Sequence, residues 1–386
     1  MRFLHPCENG GDAREREAFL SHLDSVLDEL RSASTRADAE RVRTLLGRIH
    51  PALDAEVLDD HGSGRLVVIT PHEERRLRPL ASLVVERAGS LDGVRFTTHR
   101  PARSFAEMLE TVRRELGFEL ADARARAGFA RGHLLELVLY GAGFGGNNDD
   151  RAGLAAERAA EVLLGERVLD DWVGRIDAEP LPRGGPLRVV QRDAAANFPL
   201  SELPQTVALA VENLAQELPD VTRFGTPREG WVLFEAEPEA AAEYAAQDDV
   251  ALASSALPEM LKCFLEGSSF ASKRFVRGGA RIAYLKIDAK GASFERRVAD
   301  RAKLEDELTL ALSPRRLGAV VGNGLGLRYA YVDLALAPEP EALALAREVA
   351  RSAGVGRRSW ILFCDTDLTD EWVGVWPDSP PPPGLR

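Results

Sequence analysis

Cysteine is scarce: the 386-residue chain has three, Cys7, Cys263 and Cys364. Their wide separation excludes a disulfide framework and any paired-cysteine zinc spacing, and it reads as a protein of a reducing cytoplasm. Histidine is nearly as rare. The seven, His5, His22, His50, His61, His72, His99 and His133, never fall into H-E-x-x-H spacing, and no nucleophile elbow accompanies them. No run approaches the ~18 apolar residues of a membrane span. The start, MRFLHPCENGG, lacks an apolar core of signal-peptide length. No membrane partner is expected. Lysine occurs five times against 44 arginines (49 cations less five lysines). With abundant alanine, that imbalance reads as the codon usage of a GC-rich bacterial genome rather than as arginine chemistry. Positive charge is in deficit overall: 49 basic against 61 acidic residues give −12. Such a surface repels phosphate backbones, so no nucleic-acid partner is expected. A local basic patch is compatible with that sum.

What is present is a repeated string. Asp170-Asp171-Trp172-Val173-Gly174 recurs 200 positions later as Asp370-Glu371-Trp372-Val373-Gly374. Each copy follows an apolar segment and a turn-rich stretch, which predicts two units of one plan, each closed by a tryptophan-bearing strand. Ahead of them, residues 12–48 have helical periodicity, with Phe19, Leu23, Val26, Leu27 and Leu30 on one face and Val42, Leu45, Leu46 and Ile49 on another. These faces need a cover, so the helices should rest on the domain behind them.

Strands are expected at Leu66–Ile69, Val94–Thr98 and Leu134–Tyr140. Ser104 and Glu107 form a capping box that opens a helix stopped by Gly117. Toward the C-terminal side, strand Ile282–Ile287, a helix over 294–312, strands Leu317–Val321 and Arg328–Leu336, a helix over 339–353 and strand Trp360–Cys364 give the order βαββαβ. The expected fold is α+β: two ferredoxin-like units with antiparallel or mixed sheets plus an N-terminal helical segment. The expected boundaries are 1–60 for the N-terminal helices, 61–180 for the first unit, 181–275 for a connecting α/β segment and 276–386 for the second unit with its proline-rich tail. Pro380–Pro383 is extended polyproline II, as a disordered end or a ligand for a proline-reading domain.

Four acids crowd into seven residues at Asp365, Asp367, Asp370 and Glu371. The apolar strand Ile361–Cys364 followed by Asp365-Thr366-Asp367-Leu368-Thr369 resembles the first motif of haloacid-dehalogenase-like phosphatases. That resemblance implies Asp365 as nucleophile and Asp367 as general acid, with Mg²⁺ offsetting phosphate charge. The chain departs from the family pattern after it: 17 residues follow Thr369 and none is lysine. The EF-hand pattern fails as well, since its sixth and twelfth positions fall on Asp370 and Trp376. A solvated turn and an irregular Mg²⁺ or Ca²⁺ loop both stay open; otherwise no cofactor is expected.

Gly322-Asn323-Gly324-Leu325-Gly326 leads into a strand, not a helix, so it reads as a hairpin turn rather than a phosphate cradle. Gly141–Asn148 does precede a helix but lacks P-loop chemistry. It is a flexible connection or a ligand loop, with Asn147 and Asn148 as candidate contacts. Trp172 and Trp372 are candidate ligand contacts too, or shared packing anchors.

The strand Leu66–Thr70, the helix through Leu77 and Leu83, the stretch Asp92–Pro101 and Leu164-Gly165-Glu166 together resemble an uncharacterised bacterial domain family, domain of unknown function 695. Val94 stands where that family's pattern would carry tryptophan. The resemblance implies a small α+β module and no functional residue. The functional expectation is a cytoplasmic, non-enzymatic ligand- or protein-binding or regulatory module, of which toxin immunity is one form. Its partner would be a protein or small ligand. The alternative is a metal-dependent hydrolase or phosphatase centred on Asp365 and Asp367.

Overall fold

The computed structural model describes residues 10–35, 38–59, 64–72, 74–145, 149–181, 197–224 and 230–385. Along the chain these form α1 (Gly10–Thr35), α2 (Ala39–Ile49), β1 (Asp54–Asp59), β2 (Arg65–Thr70), α3 (Arg78–Ala88), β3 (Val94–Thr97), α4 (Phe105–Leu116), β4 (Arg124–Phe129), β5 (Leu135–Gly141), α5 (Asp149–Leu164), α6 (Glu166–Trp172), β6 (Val173–Pro180), β7 (Phe198–Pro199), α7 (Leu203–Glu217) and α8 (Val221–Phe224). Then come β8 (Val232–Glu235), β9 (Val250–Ser255), α9 (Pro258–Leu265), β10 (Arg281–Asp288), α10 (Phe294–Leu312), β11 (Gly318–Gly326), β12 (Tyr329–Leu336), α11 (Pro340–Ser352), β13 (Ser359–Phe363) and β14 (Trp372–Gly374). The class is α+β, with mixed and antiparallel sheets. Among the described residues no helix is long and apolar enough to cross a membrane.

The chain divides into two units. One joins Met1–Thr98, Pro219–Leu261 and Val276–Arg386; the other joins His99–Leu218 and Lys262–Phe275. Neither is a contiguous stretch, so the boundaries expected at 60, 180 and 275 do not fall where contacts divide the chain. The segment 61–180 does not close one sheet either, which corrects the reading of it as a ferredoxin-like unit. Its first strands, β2 and β3, pair in parallel and join β1 in a three-stranded sheet of the first unit. Its later strands belong to the second unit. The reason is local: β1 is antiparallel to β2 from Asp54↔Thr70 to Asp59↔Arg65 and occupies the edge that β2 offers. The N-terminal helices do find the expected cover. Leu23, Val26, Leu27, Leu30, Val42, Leu45 and Leu46 are buried in one cluster with Val67, Ile69, Leu80, Val84 and Phe96.

The first unit also holds a seven-stranded sheet in the order β14-β13-β10-β12-β11-β9-β8, every neighbouring pair antiparallel. Side chains alternate between its faces. Ala283, Leu285, Val332, Leu334, Ile361 and Phe363 meet Leu304, Leu308 and Leu312 of α10 and Ala342, Leu345, Ala346 and Ala350 of α11. Full burial of each leucine stabilises the fold by about 2 kcal/mol.

The opposite face is unusual in its chemistry. Tyr284, Lys286, Tyr329, Tyr331, Asp333 and Trp360 lie there and are all buried. Residues 236–249 cover them. Lys286 Nζ donates to the Tyr244 and Ala246 carbonyls (2.6 and 2.8 Å) and sits 4.2 Å from the Tyr329 ring centroid. Tyr331 donates to Asp249, whose other oxygen accepts the Arg328 and Tyr329 backbone N–H groups (both 2.8 Å). Gln247 Nε2 reaches Asp333 (3.2 Å). Burial pushes Lys286 down to about 8, against the pull of Asp249 and Asp248. Burial likewise pushes the Tyr331 hydroxyl far up, and Asp249 adds to the effect.

The glycines of β11 belong to this layer. The expected turn at Gly322–Gly326 is instead strand, with Gly322 opposite Asp333 and Leu325 opposite Ala330. The chain reverses at Leu327 and Arg328. A Cβ on Gly322 would overlap the Asp333 carboxylate, and one on Gly326 the Asp249 carboxylate. Clearance for buried acids, not turn geometry, fixes these positions.

The second unit is built on the sheet order β6-β5-β4-β7, with β5 and β6 parallel and the other pairs antiparallel. Met108 and Val112 of α4, Ala152, Ala155 and Ala159 of α5 and Val207 of α7 share its core with Leu135, Leu137 and Leu139. The capping box forms as expected: Ser104 accepts from Glu107 N, Glu107 accepts from Ser104 N, and Gly117 takes the left-handed cap.

The two tryptophan strings are not structural equivalents, which corrects the duplicated plan. Trp172 ends helix α6, and the strand after it runs parallel to β5. Trp372 opens β14, which runs antiparallel to β13. Glu166, Arg167 and Leu169 ahead of the first copy are good helix formers. Asp365–Thr369 ahead of the second have short polar side chains that bond locally and favour turns, as Thr369 does to the Thr366 carbonyl (2.9 Å).

Asp333 gives the fold a pH signature. Burial raises its pKa from 3.8 to about 7 in the folded protein, with Glu305 adding to the rise and Gln247 opposing it. The folded state therefore holds a proton that the unfolded chain releases, and stability falls as pH climbs through that window. We expect Asp333→Asn to raise the unfolding free energy at pH 8.5 by an amount on the order of 2–4 kcal/mol relative to its effect near pH 4. Urea melts at the two pH values check this; equal shifts at both would refute it.

Candidate functional site

The acidic loop predicted from sequence lies in the first unit, between β13 and β14. Asp365 precedes a short 3₁₀ turn over Thr366–Leu368. Asp367 is held by Arg75 Nε at 2.8 Å, with both side chains mostly buried. Asp370 is exposed, whereas Glu371 is 2% exposed. These last two line a cavity of about 380 Å³ with His50, Glu74, Arg76 and an apolar floor that includes Phe19 and Leu80. The loop thus does not gather its four acids on one point. Among the described residues, no group of three or more His, Cys, Asp or Glu is placed to hold a metal ion. The guanidinium on Asp367 also occupies the carboxylate that the phosphatase resemblance would use as its acid.

Trp172 and Trp372 are 7% and 2% exposed. Trp172 belongs to the core of the second unit, and Trp372 pairs with Leu362 across the sheet of the first. Their placement is that of packing anchors. Asn147 and Asn148 lie outside the described residues. Gly141 ends β5, and α5 begins at Asp149, so the loop joins strand to helix as expected.

A site that the sequence reading did not single out is more developed. A cavity of about 510 Å³ lies in the first unit, beside the start of α10 and the α11–β13 connection. Five cations line it, Lys290, Arg296, Arg297, Arg301 and Lys303, against two carboxylates, Asp288 and Asp300. In a chain of net charge −12 this is a local reversal of sign. Part of the charge is already balanced. Arg296 pairs with Asp300 (3.4 Å), Arg301 with Glu305 (2.8 Å) and Lys303 with Glu307 (3.6 Å). Asp288 is taken by Arg328 and Arg358, each at 2.9 Å. Burial works to raise the Asp288 carboxyl, but those two guanidinium groups outweigh it and hold it below the usual carboxylate range.

Arg297 and Lys290 are different. Among the described residues neither side chain pairs with a carboxylate. Arg297 is fixed by Nη1, which donates to the carbonyls of Gly326 (2.7 Å) and Leu327 (3.2 Å). Its Nε is buried with no hydrogen-bond partner among the described residues. A buried donor left unmet costs about 1–3 kcal/mol. Gly291 and Gly356, also in the lining, face open space where a side chain would start. The start of α10 lends its positive end to the same region.

One signal for this site was present in the sequence. All five lysines fall between positions 262 and 303, and two of them, Lys290 and Lys303, line the cavity. Lysine kept locally in an arginine-rich chain marks a place where composition bias is not the whole account.

No family model, curated protein or solved structure matches the chain.

The Arg75–Asp367 pair should be structural. A double-mutant cycle over Arg75→Ala and Asp367→Ala should give a coupling of about 1 kcal/mol in unfolding free energy. Mg²⁺ or Ca²⁺ titration should leave the tryptophan emission flat; a saturable change lost in Asp367→Ala would return the loop to candidacy as a metal site.

Proposed function

We propose that this protein is a non-enzymatic binding module whose ligand is a small anion seated in the basic cavity of the first unit. The observation that carries the reading is Arg297: a cation held in place by two backbone carbonyls, with no carboxylate partner among the described residues and one buried donor unmet. Cavities of ~300–1,000 Å³ with a few placed polar groups are the usual seats of small ligands, and the volume here falls inside that range. An arginine fork with neighbouring lysine suits phosphate or carboxylate geometry. The remaining cations are compensated, which limits the attraction to a compact anion rather than a polyanionic chain.

Residues 281–363 run β10-α10-β11-β12-α11-β13 with spatial order β13-β10-β12-β11. That antiparallel order, with both helices against one face, supports a ferredoxin-like assignment for this segment, extended at both edges by β14, β9 and β8. The cavity then lies where the first strand of the motif gives way to its first helix. We place the protein in the cytoplasm on the cysteine usage described above.

Isothermal titration of the full chain with inorganic phosphate and pyrophosphate tests the reading. Saturable binding is expected, weakened at least tenfold in Arg297→Gln and again in Lys290→Gln, with pyrophosphate recovered intact after long incubation. Absence of binding, or binding indifferent to both substitutions, would remove the cavity as the seat. Hydrolysis of pyrophosphate would remove the non-enzymatic part.

A further inference from the structure

The cavity beside the acidic loop has a chemistry separate from that of the basic one, and the two share no lining residue. Its apolar lining is Phe19 of α1, Ile49 of α2, Leu77 just ahead of α3 and Leu80 within it. Leu80 has no exposed surface, and Ile49 and Leu77 are buried too. Glu74, Arg76 and Asp370 of the same lining are exposed. The lining therefore grades from an apolar floor to a charged rim, and the rim is not balanced. Arg76 Nη2 is taken by Glu74 (3.4 Å). His50 Nδ1 accepts the Ala52 N–H (3.2 Å), so that nitrogen carries no proton and the ring no positive charge. Asp370 has no ion pair among the described residues. Glu371, 2% exposed, brings a second carboxylate to the cavity. The loop carrying both acids is tied to the floor segment. Arg75, two residues ahead of Leu77, holds Asp367 by Nε (2.8 Å), and Glu371 N donates to the Leu368 carbonyl (2.9 Å).

We infer that this cavity is a second ligand site, independent of the anion-binding reading, and that it takes a primary amine with a short aliphatic body. The ammonium group sits at the rim against Asp370, with donors to spare for Glu371. The alkyl group lies on Ile49, Leu77 and Leu80. A metal ion is the poorer match. Among the described residues no three His, Cys, Asp or Glu are placed to hold one, and it would leave the floor wet. An anion would meet two carboxylates, and a neutral aliphatic molecule would leave Asp370 without a counter-charge. One positive charge joined to saturated carbon meets both the floor and the rim. A methylene moved from water onto an apolar floor gains about fourfold in affinity at full burial. The body thus sets the strength of binding and the rim sets the sign of the charge.

Isothermal titration of the full chain with methylamine, propylamine and isoamylamine tests this, with isoamyl alcohol and isovalerate as isosteres that lack the positive charge. Affinity should rise about two- to fourfold per added carbon along the amines. Isoamylamine should bind at least fivefold more tightly than either isostere. Asp370→Asn should remove that advantage and leave the affinity for isoamyl alcohol unchanged. Amine, alcohol and carboxylate binding alike, an affinity indifferent to chain length, or an amine advantage that survives Asp370→Asn each overturns the inference. So does failure of the amines to bind. Inorganic phosphate titrated alongside reports on the other cavity, so either site can fail without the other. Asp370 is exposed, so its replacement should leave the thermal unfolding midpoint within about 2 °C, which excludes misfolding as the cause of a lost advantage.

Discussion

Lys286 is the constraint around which the first unit is arranged. It sits with no exposed surface in the middle of a seven-stranded sheet, on a face that a simpler design would fill with valine and leucine. Desolvating an ammonium group is costly. Here the cost is offset by two carbonyls of residues 236–249, the Tyr329 ring and the nearby Asp249. The two carbonyls and Asp249 can be in place only when the covering segment lies over the sheet. The charge therefore specifies one position for an otherwise irregular stretch of chain. Asp249 then fixes the backbone at Arg328 and Tyr329, where β11 turns back into β12, and the glycines of β11 make room for the acids.

That same reversal supports the basic cavity. The carbonyls of Gly326 and Leu327 hold Arg297, so the cation at the candidate site is positioned from the backbone that Asp249 orders. Asp288 follows Lys286 on the same face of β10 and lines the cavity, while Arg328 and Arg358 hold it and also reach Glu243 of the covering segment. The site is thus preorganised by the buried layer and does not depend on a mobile side chain finding its place.

Regular periodicity was legible in the sequence, and chemistry at close range was not. The helix over 294–312 and the order of the C-terminal strands follow from apolar spacing, and the Ser104–Glu107 cap from its own motif. The near-identical pentapeptides at Trp172 and Trp372 misled, because five residues do not determine an element; the residues before them do. The Gly322–Gly326 run misled for a related reason. Glycine in a strand and glycine in a turn look alike until the carboxylates opposite are known. The cavity cations were hidden by composition: among so many arginines, Arg297 is distinguished only by lacking an acidic partner, a property of the folded chain. Strand β9, with little alternation in polarity, gave no periodic signal to read.

The interrupted layout of the first unit has a bearing on how the chain reaches its native state during synthesis. Its N-terminal cluster draws on Leu23 through Phe96 and can collapse as soon as those residues emerge. The cluster beneath the seven-stranded sheet draws on Ala283 through Val375 and cannot begin until most of the chain has been made. The residues between include all of the second unit, which has time to fold on its own account. A vectorial order of assembly is built in: an early helical segment, then an inserted body, and last the large sheet, whose β8–β9 pair must wait until β11 arrives to receive β9.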